Sequence, residues 1–178
     1  MSHVHFAKCA EAGSSEYHIP PDATVESING ALQLETNTYR IVMTRSLAPR
    51  HLPFSILTTL IANFSRLLID ESKVYSPDYP IYRDPSYTHE ILTIGMERYK
   101  ESSKPDQQLT YADILLLCAV IKEHLGKIDD EACEIEIFKQ GKGKAKQYEL
   151  VGRGSLGFTK AALMMSDGPT SNTTDVRW

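Results

Sequence analysis

The sequence predicts a single α+β domain: a two-layer sandwich in which two main helices cover one face of a four- to five-stranded, mostly antiparallel sheet. Two observations support this class. Apolar residues recur at three- and four-residue intervals in two stretches, as they do on the buried side of amphipathic helices. In several other stretches apolar residues alternate with polar ones, as they do along half-buried strands. A ferredoxin-like β-α-β arrangement is the nearest named architecture.

The chain divides into three parts. Residues 1–27 are polar and interrupted by glycine and prolines, so we expect a loose lead-in there. The α+β domain takes residues 28–165, and we interpret the polar residues 166–178 as a flexible tail. A chain of 178 residues is long enough for one domain with an apolar core of its own.

The first half of the domain is predicted to hold one strand or a strand pair, one helix and a long loop. Residues 31–44 alternate in hydropathy, which predicts the strand or the pair. The helix runs from about Phe54 to Ile69, and its apolar stripe is Leu57, Leu60, Ile61, Phe64, Leu67 and Leu68. The stretch from Ser72 to Thr88 has three prolines, which disfavour a helix or a central strand. Its four tyrosines argue against disorder, so we expect an ordered loop, and long loops of this kind often carry function.

The second half begins with a predicted strand over Glu90–Tyr99. Thr110 and Asp113 then have the spacing of a capping box, which predicts the start of a helix. The buried stripe of that helix is Tyr111, Ile114, Leu115, Cys118, Ile121 and Leu125. Two further alternations, at residues 133–137 and 147–150, predict a β-hairpin.

A glycine motif follows the last predicted strand. Gly152, Gly154 and Gly157 fit the GxGxxG pattern of a dinucleotide-binding turn. That turn opens a β-α-β unit of roughly 30 residues, whereas only 21 residues follow Gly157. They hold a predicted short helix at Thr159–Met165 and no predicted second strand. We therefore interpret the motif as a glycine-rich bend at the end of the strand and predict no cofactor.

Charge and apolar runs bear on the partners. The formal net charge of −4 and the isoelectric point near 5.9 give no electrostatic reason to expect a nucleic-acid or anionic-membrane partner. The longest apolar run, Ile114–Ile121, is far shorter than the roughly 20 residues that span a bilayer. The first residues lack the apolar centre of a signal peptide, so we expect a cytoplasmic protein, or a secreted one if a signal peptide has been removed.

Cysteines and histidines show no metal-binding pattern. The three cysteines are widely spaced, and Cys118 and Cys133 fall at apolar positions of a helix and a strand, where cysteine behaves as a small hydrophobe. The six histidines are scattered singly and lack the spacing of zinc ligands. We predict no bound metal.

Two stretches in about the last 60 residues carry a resemblance: LTYADILLLCAVIKEHLG at 109–126 and CEIEIFKQGKGKAKQYELVGRGSLGF at 133–158. This part of the chain resembles small uncharacterised proteins of filamentous ascomycete fungi. Those proteins carry a leucine-threonine-aromatic helix start, an acidic alternating strand and a glycine-ended final strand. The resemblance implies a fungal source, and it implies no activity and no site residues.

The tyrosine-rich region is the candidate binding surface. It combines amphipathic rings and charged groups on a loop beside a strand, a composition favoured at interfaces; its residues are Tyr75, Tyr79, Tyr82, Arg83, Tyr87, His89 and Arg98. The simpler interpretation is that the rings pin the loop onto the sheet. The functional interpretation makes the chain a non-catalytic binding protein, such as a fungal effector or accessory protein, whose partner is a protein or a small apolar ligand.

The alternative is a small cofactor-independent enzyme, for example an isomerase, lyase or cyclase. Tyrosine and histidine side chains would do acid–base work on an apolar substrate held between the helices and the sheet. This alternative calls for an enclosed pocket of roughly a few hundred Å³ that contains such a side chain. The sequence does not decide whether the protein is an enzyme, and it leaves the oligomeric state open.

Overall fold

The computed structural model describes residues 17–28, 30–46, 50–99, 107–124, 132–141 and 147–166. In chain order its elements are β1 (Thr24–Ile28), β2 (Ala31–Glu35), β3 (Tyr39–Arg45), α1 (Phe54–Tyr75), β4 (Ser86–His89), β5 (Leu92–Arg98), α2 (Tyr111–His124), β6 (Cys133–Gln140), β7 (Tyr148–Phe158) and α3 (Lys160–Ser166). The first 16 residues of the predicted lead-in and all but the first residue of the predicted tail lie outside the described residues. None of the helices described here has the length and apolar character needed to cross a membrane.

The seven strands of the described residues form one antiparallel sheet in the order β1-β2-β3-β6-β7-β5-β4. The predicted class, α+β, is therefore confirmed, and the predicted number of four to five strands is wrong. Three strands precede α1, so the chain does not begin with a β-α-β unit and the ferredoxin-like arrangement is wrong as well. Instead β1, β2 and β3 form a meander, and β6 joins that meander to β7, β5 and β4.

The two strands absent from the prediction are the two edges of the sheet. In β1 only Val25 is partly buried, so the strand shows almost no alternation of hydropathy. The turn from β1 to β2 includes Gly30, whose φ of +80° is a conformation that glycine adopts without strain. β4 has only four residues and lies inside the predicted loop. An edge strand is held by backbone hydrogen bonds to a single adjacent strand, and the pattern of apolar and polar residues gives no sign of those bonds.

The core lies on one face of the sheet, where α1 and α2 cover it. Along β6, Ile135 and Ile137 are buried on this face while Glu136 points to the other. Phe64 of α1 and Leu117 of α2 have no exposed surface. Burying one such side chain stabilises the fold by about 1.5–3 kcal/mol. On the opposite face, the part formed by β4, β5 and the paired segments of β6 and β7 carries polar and small residues such as Glu134, Ser155 and Gly95.

Two predictions about α2 and the cysteines are confirmed. The Thr110 N–H donates to Asp113 Oδ2 at 2.7 Å, and the Asp113 N–H donates to Thr110 Oγ1 at 3.3 Å, which are the reciprocal bonds of a capping box. Cys118 and Cys133 are buried free thiols. Burial raises the pKa of each thiol to about 12, so both stay protonated at neutral pH.

The glycine motif lies inside β7, so its interpretation as a bend at the end of the strand is wrong. Gly152 and Gly154 face the helices, where a Cβ on Gly152 would meet Leu109 and a Cβ on Gly154 would overlap Met96. These glycines let neighbouring side chains pack closely against the backbone of β7.

Candidate functional site

The last turns of α1 carry the first residue of the candidate site. The helix runs six residues beyond the predicted end at Ile69 and ends at Tyr75. Its extension is stabilised by Ser72, whose hydroxyl donates to the Ile69 carbonyl at 2.9 Å, and by Lys73, whose Nζ lies 2.7 Å from Asp70 Oδ1. Tyr75 therefore stands on a helix, and the predicted loop over 72–88 is too long at this end.

The loop after α1 is tied to the start of α2. The helix stops at Ser76 because Pro77 follows, and the residue before a proline disfavours the helical conformation. The Pro77 carbonyl then accepts from the Ala112 N–H at 2.8 Å, and the Ile81 N–H donates to the Leu109 carbonyl at 3.0 Å. The side chain of Ile81 is buried as well. These contacts hold residues 76–85 in one position.

Three tyrosine rings pack together on this support. The ring centroids of Tyr75 and Tyr79 lie 5.7 Å apart with an interplanar angle of 27°, and those of Tyr75 and Tyr82 lie 5.3 Å apart at 54°. The three residues are 44%, 52% and 48% exposed, in chain order. The guanidinium carbon of Arg83 lies 5.6 Å from the Tyr82 centroid. We call Tyr75, Tyr79, Tyr82 and Arg83 the tyrosine surface.

Buried polar groups underlie the tyrosine surface. Arg83 Nη2 donates to Oε1 of Glu71, whose side chain is only 13% exposed. Among the described residues, neither the other oxygen of Glu71 nor the hydroxyl of Tyr111 has a hydrogen-bond partner, and both are buried. Burial, followed by the nearby Glu71 carboxylate, raises the pKa of Tyr111 to about 12, so its hydroxyl keeps its proton. The carboxylate thus fixes Arg83 at the rim of the rings.

The other three predicted site residues lie outside this cluster of rings. Tyr87 and His89 belong to β4 and share the helix-facing side of the sheet with buried residues of β5. Tyr87 packs against the core, as the simpler interpretation expects of a ring that pins the loop. Arg98 ends β5, where its Nε lies 3.3 Å from Asp84 Oδ1 and its Nη1 donates to the Ile81 carbonyl at 3.4 Å. The structure therefore brings four of the seven predicted residues into one cluster, ties Arg98 to the loop that carries three of them, and places Tyr87 and His89 on β4.

Glu71 and Tyr111 were not among the predicted site residues. Tyr111 falls in the apolar stripe of α2, and Glu71 lies beyond the predicted end of α1. They are 40 positions apart in the chain, and no sequence pattern links them. The one signal in the sequence is the tyrosine at an apolar helix position, because a buried tyrosine hydroxyl usually has a polar neighbour.

A second polar cluster lies at the start of α2, and its contacts are structural. The Asp113 side chain has no exposed surface, and its Oδ2 lies 2.6 Å from Lys139 Nζ. Lys139 also donates to the Gln108 carbonyl at 2.9 Å and lies 5.7 Å from the ring centroid of Tyr39. Burial, followed by the Asp113 carboxylate, raises the pKa of Tyr39 above its usual value. These contacts link α2 to β3 and β6 and so position the helix on the sheet.

A groove of about 680 Å³ lies on the other face of the sheet, across β4 to β7. The described residues that line it include neither a tyrosine nor a histidine, so it is not the pocket that the catalytic alternative calls for. Between the helices and the sheet, side chains such as Leu60 and Ile137 are packed with no exposed surface. The catalytic alternative stays a prediction.

Comparisons with known proteins find no family model, no curated protein and no solved structure that matches this chain. The resemblance to fungal proteins stays a prediction. What supports a function is the geometry of the tyrosine surface itself.

Proposed function

We propose that the chain is a non-catalytic binding protein that engages a protein partner through the tyrosine surface. The observation that carries this proposal is the mutual packing of three half-exposed tyrosine rings beside an exposed arginine. Tyrosine and arginine are enriched among the residues that dominate binding energy at interfaces.

The tyrosine surface is ordered before binding. Tyr75 stands on the last turn of α1, and the loop that carries Tyr79, Tyr82 and Arg83 is hydrogen-bonded to the start of α2. Ordering side chains and loops at an interface costs free energy that lowers affinity. A surface that is already ordered avoids much of this cost, and tyrosine adds large contact area with only two rotatable angles.

A protein partner fits this surface better than a small apolar ligand. Small-ligand sites enclose most of the ligand surface in a concave pocket. Here each tyrosine residue is about half exposed, and the ring of Tyr75 packs against the other two rings rather than bordering an enclosed space with them. The exposed guanidinium of Arg83 adds a donor for carbonyl or carboxylate groups of a partner.

Site-specific crosslinking tests the proposal. A photoreactive amino acid replaces Tyr79 in one sample and Phe54 in the control, and both proteins are irradiated in extracts of the source organism. Phe54 is a matched control because it is an aromatic residue that is 56% exposed, close to the 52% of Tyr79. It lies at the start of α1, at the opposite end of the helix from Tyr75. We expect one discrete protein adduct from position 79 that is absent from position 54.

Two results contradict the proposal. One is an adduct pattern that is the same at both positions, or no protein adduct at position 79. The other is a small-molecule mass that native mass spectrometry finds on the protein, that denaturation removes and that Tyr82→Ala abolishes. The second result makes the occupant of the tyrosine surface a small ligand.

A further inference from the structure

We propose a second binding site: the groove on the sheet face opposite the helices binds a basic peptide segment of a partner. The groove crosses β6, β7, β5 and β4, which are neighbours in the sheet in that order. The lining of this groove includes none of the residues of the tyrosine surface, so the proposal does not depend on the function proposed for that surface.

The floor of the groove is a row of three small residues that ends at Glu134. Strand register places Glu134 opposite Ser155, Ser155 opposite Gly95, and Gly95 opposite Ser86. Between the two serines a Cβ on Gly95 would have nothing closer than 3.6 Å, so the strand backbone lies close to the surface. Four strands span about 14 Å, the length of about four extended residues.

The next row forms a wall of long, charged side chains. Here Glu136 and Glu97 flank Arg153 on the neighbouring strands. Arg153 Nε lies 3.3 Å from Glu136 Oε1, and the guanidinium carbon lies 5.5 Å from the ring centroid of Tyr99. The guanidinium is thus held at the middle of the wall, and its side chain is still 60% exposed.

The groove carries excess negative charge. Among the described residues that line it, four are carboxylates, Asp84, Glu97, Glu134 and Glu136, and one is cationic, Arg153. Glu136 is paired with Arg153, and Asp84 is paired with Arg98 from outside the lining. Glu97 and Glu134 form no ion pair with another described residue. Charge complementarity therefore favours a cationic occupant.

A basic peptide fits this charge pattern better than a polyamine or a metal ion. A polyamine offers only cations and would be repelled by Arg153, whereas a peptide brings carbonyl oxygens for Arg153 and lysine or arginine side chains for Glu97 and Glu134. The hydroxyls of Ser86 and Ser155 can donate a hydrogen bond to a peptide carbonyl or accept one from a peptide N–H. Among the described residues no group of three or more ligand side chains is placed to hold a metal ion.

The test measures binding of a fluorescein-labelled peptide of alternating lysine and glycine by anisotropy, at low and at physiological ionic strength. The key variant is Glu97→Gln/Glu134→Gln, which removes the two groove carboxylates that form no ion pair with another described residue. The matched control is Glu26→Gln/Glu123→Gln, because it removes the same charge at exposed sites outside the groove: Glu26 lies on β1 on the same sheet face, and Glu123 lies on α2. We expect the key variant to bind the peptide at least about tenfold more weakly and the control to bind it within about twofold of the parent protein.

A steric variant and a tyrosine variant complete the design. Ser155→Phe fills the floor without changing the charge, and we expect it to weaken peptide binding as well. Tyr79→Ala leaves the groove unchanged, so it should bind the peptide like the parent protein even if the function proposed for the tyrosine surface is wrong.

Four results overturn the proposal. They are a failure of the peptide to bind, an equal loss of affinity in the control, displacement of the peptide by spermidine at equal cation concentration, and self-association of the protein that the key variant abolishes. The third result would make the groove a polyamine site, and the fourth would make its occupant a second copy of this chain.

Discussion

Ser76 ends α1 in a backbone conformation, φ +80° and ψ 143°, that is strained for any residue with a Cβ. Its side chain is exposed, so replacing it removes no buried contact. We expect Ser76→Gly to raise the free energy of unfolding by about 1 kcal/mol, since relief of the strain exceeds the added freedom of the unfolded chain. Urea unfolding measures this change.

The control for Ser76 makes the same substitution inside the helix. Ser55 lies in the first turn of α1, where glycine has no conformational advantage. Ser55→Gly should lower the free energy of unfolding by up to about 1 kcal/mol. If both variants change stability in the same direction, Ser76 is not strained.

Composition was sufficient to predict part of the candidate site at this scale. Tyr79, Tyr82 and Arg83 stand out because rings and charge cluster between prolines, and the structure brings them together. The roles of Glu71 and Tyr111 depend on two helices that meet at a position no local pattern encodes. Neighbouring residues in a fold that are distant in sequence need the tertiary structure to be recognised.

At the scale of elements, β7 shows why a glycine motif can have a packing role. A Cβ on Gly154 would overlap both the Met96 sulfur and the backbone oxygen of Gly95, and a backbone atom cannot move aside cheaply. We expect Gly154→Ala to lower the free energy of unfolding by more than about 3 kcal/mol. Gly157→Ala, in the same strand, places its Cβ 3.4 Å from the Ala132 Cβ and should cost less than about 1 kcal/mol.

Urea unfolding of both glycine variants decides between packing and general strand propensity. Propensity alone would penalise neither alanine, because alanine suits a strand at least as well as glycine. Equal stability of the two variants would therefore contradict the packing role of Gly154.

Periodicity predicts the interior elements of this fold and fails at the ends and edges. The starts of α1 and α2 agree with the structure because an apolar stripe or a capping box marks each of them. The predicted end of α1 is too early because the four residues after Ile69 are polar, although the helix continues through them to Tyr75. The edge strands β1 and β4 were missed because short, exposed strands have little apolar alternation.

At the scale of the whole molecule, buried groups with raised pKa values make stability fall at alkaline pH. Cys118 and Cys133 have pKa values of about 12 in place of 9.0, and Tyr111 has one of about 12 in place of 10.0. Above its ordinary pKa each group loses its proton in the unfolded chain and keeps it in the folded protein. The free energy of unfolding should thus decrease by about 1.4 kcal/mol per pH unit for each such group, beginning near pH 9 for the cysteines and near pH 10 for Tyr111 and continuing to about pH 12.

The cysteines titrate first, which allows a specific control. Between pH 9 and pH 10 the two thiols make most of the contribution of the described groups to this decrease, so Cys118→Ala/Cys133→Ala should flatten the curve there and leave the tyrosine part above pH 10. Urea unfolding at a series of pH values, with reductant present, measures both curves. An unchanged slope in the variant would mean that the thiols are not held protonated by burial.

The central claim is that the tyrosine surface binds a protein, and the most direct measurement is the affinity of the crosslinked partner for single variants. Tyr79→Ala and Tyr82→Ala each remove a half-exposed ring, so we expect a dissociation constant at least about tenfold higher with little change in the melting temperature. Phe54→Ala, at the opposite end of α1, should bind like the parent protein. Equal affinity of the partner for the parent protein and for both tyrosine variants would contradict the claim.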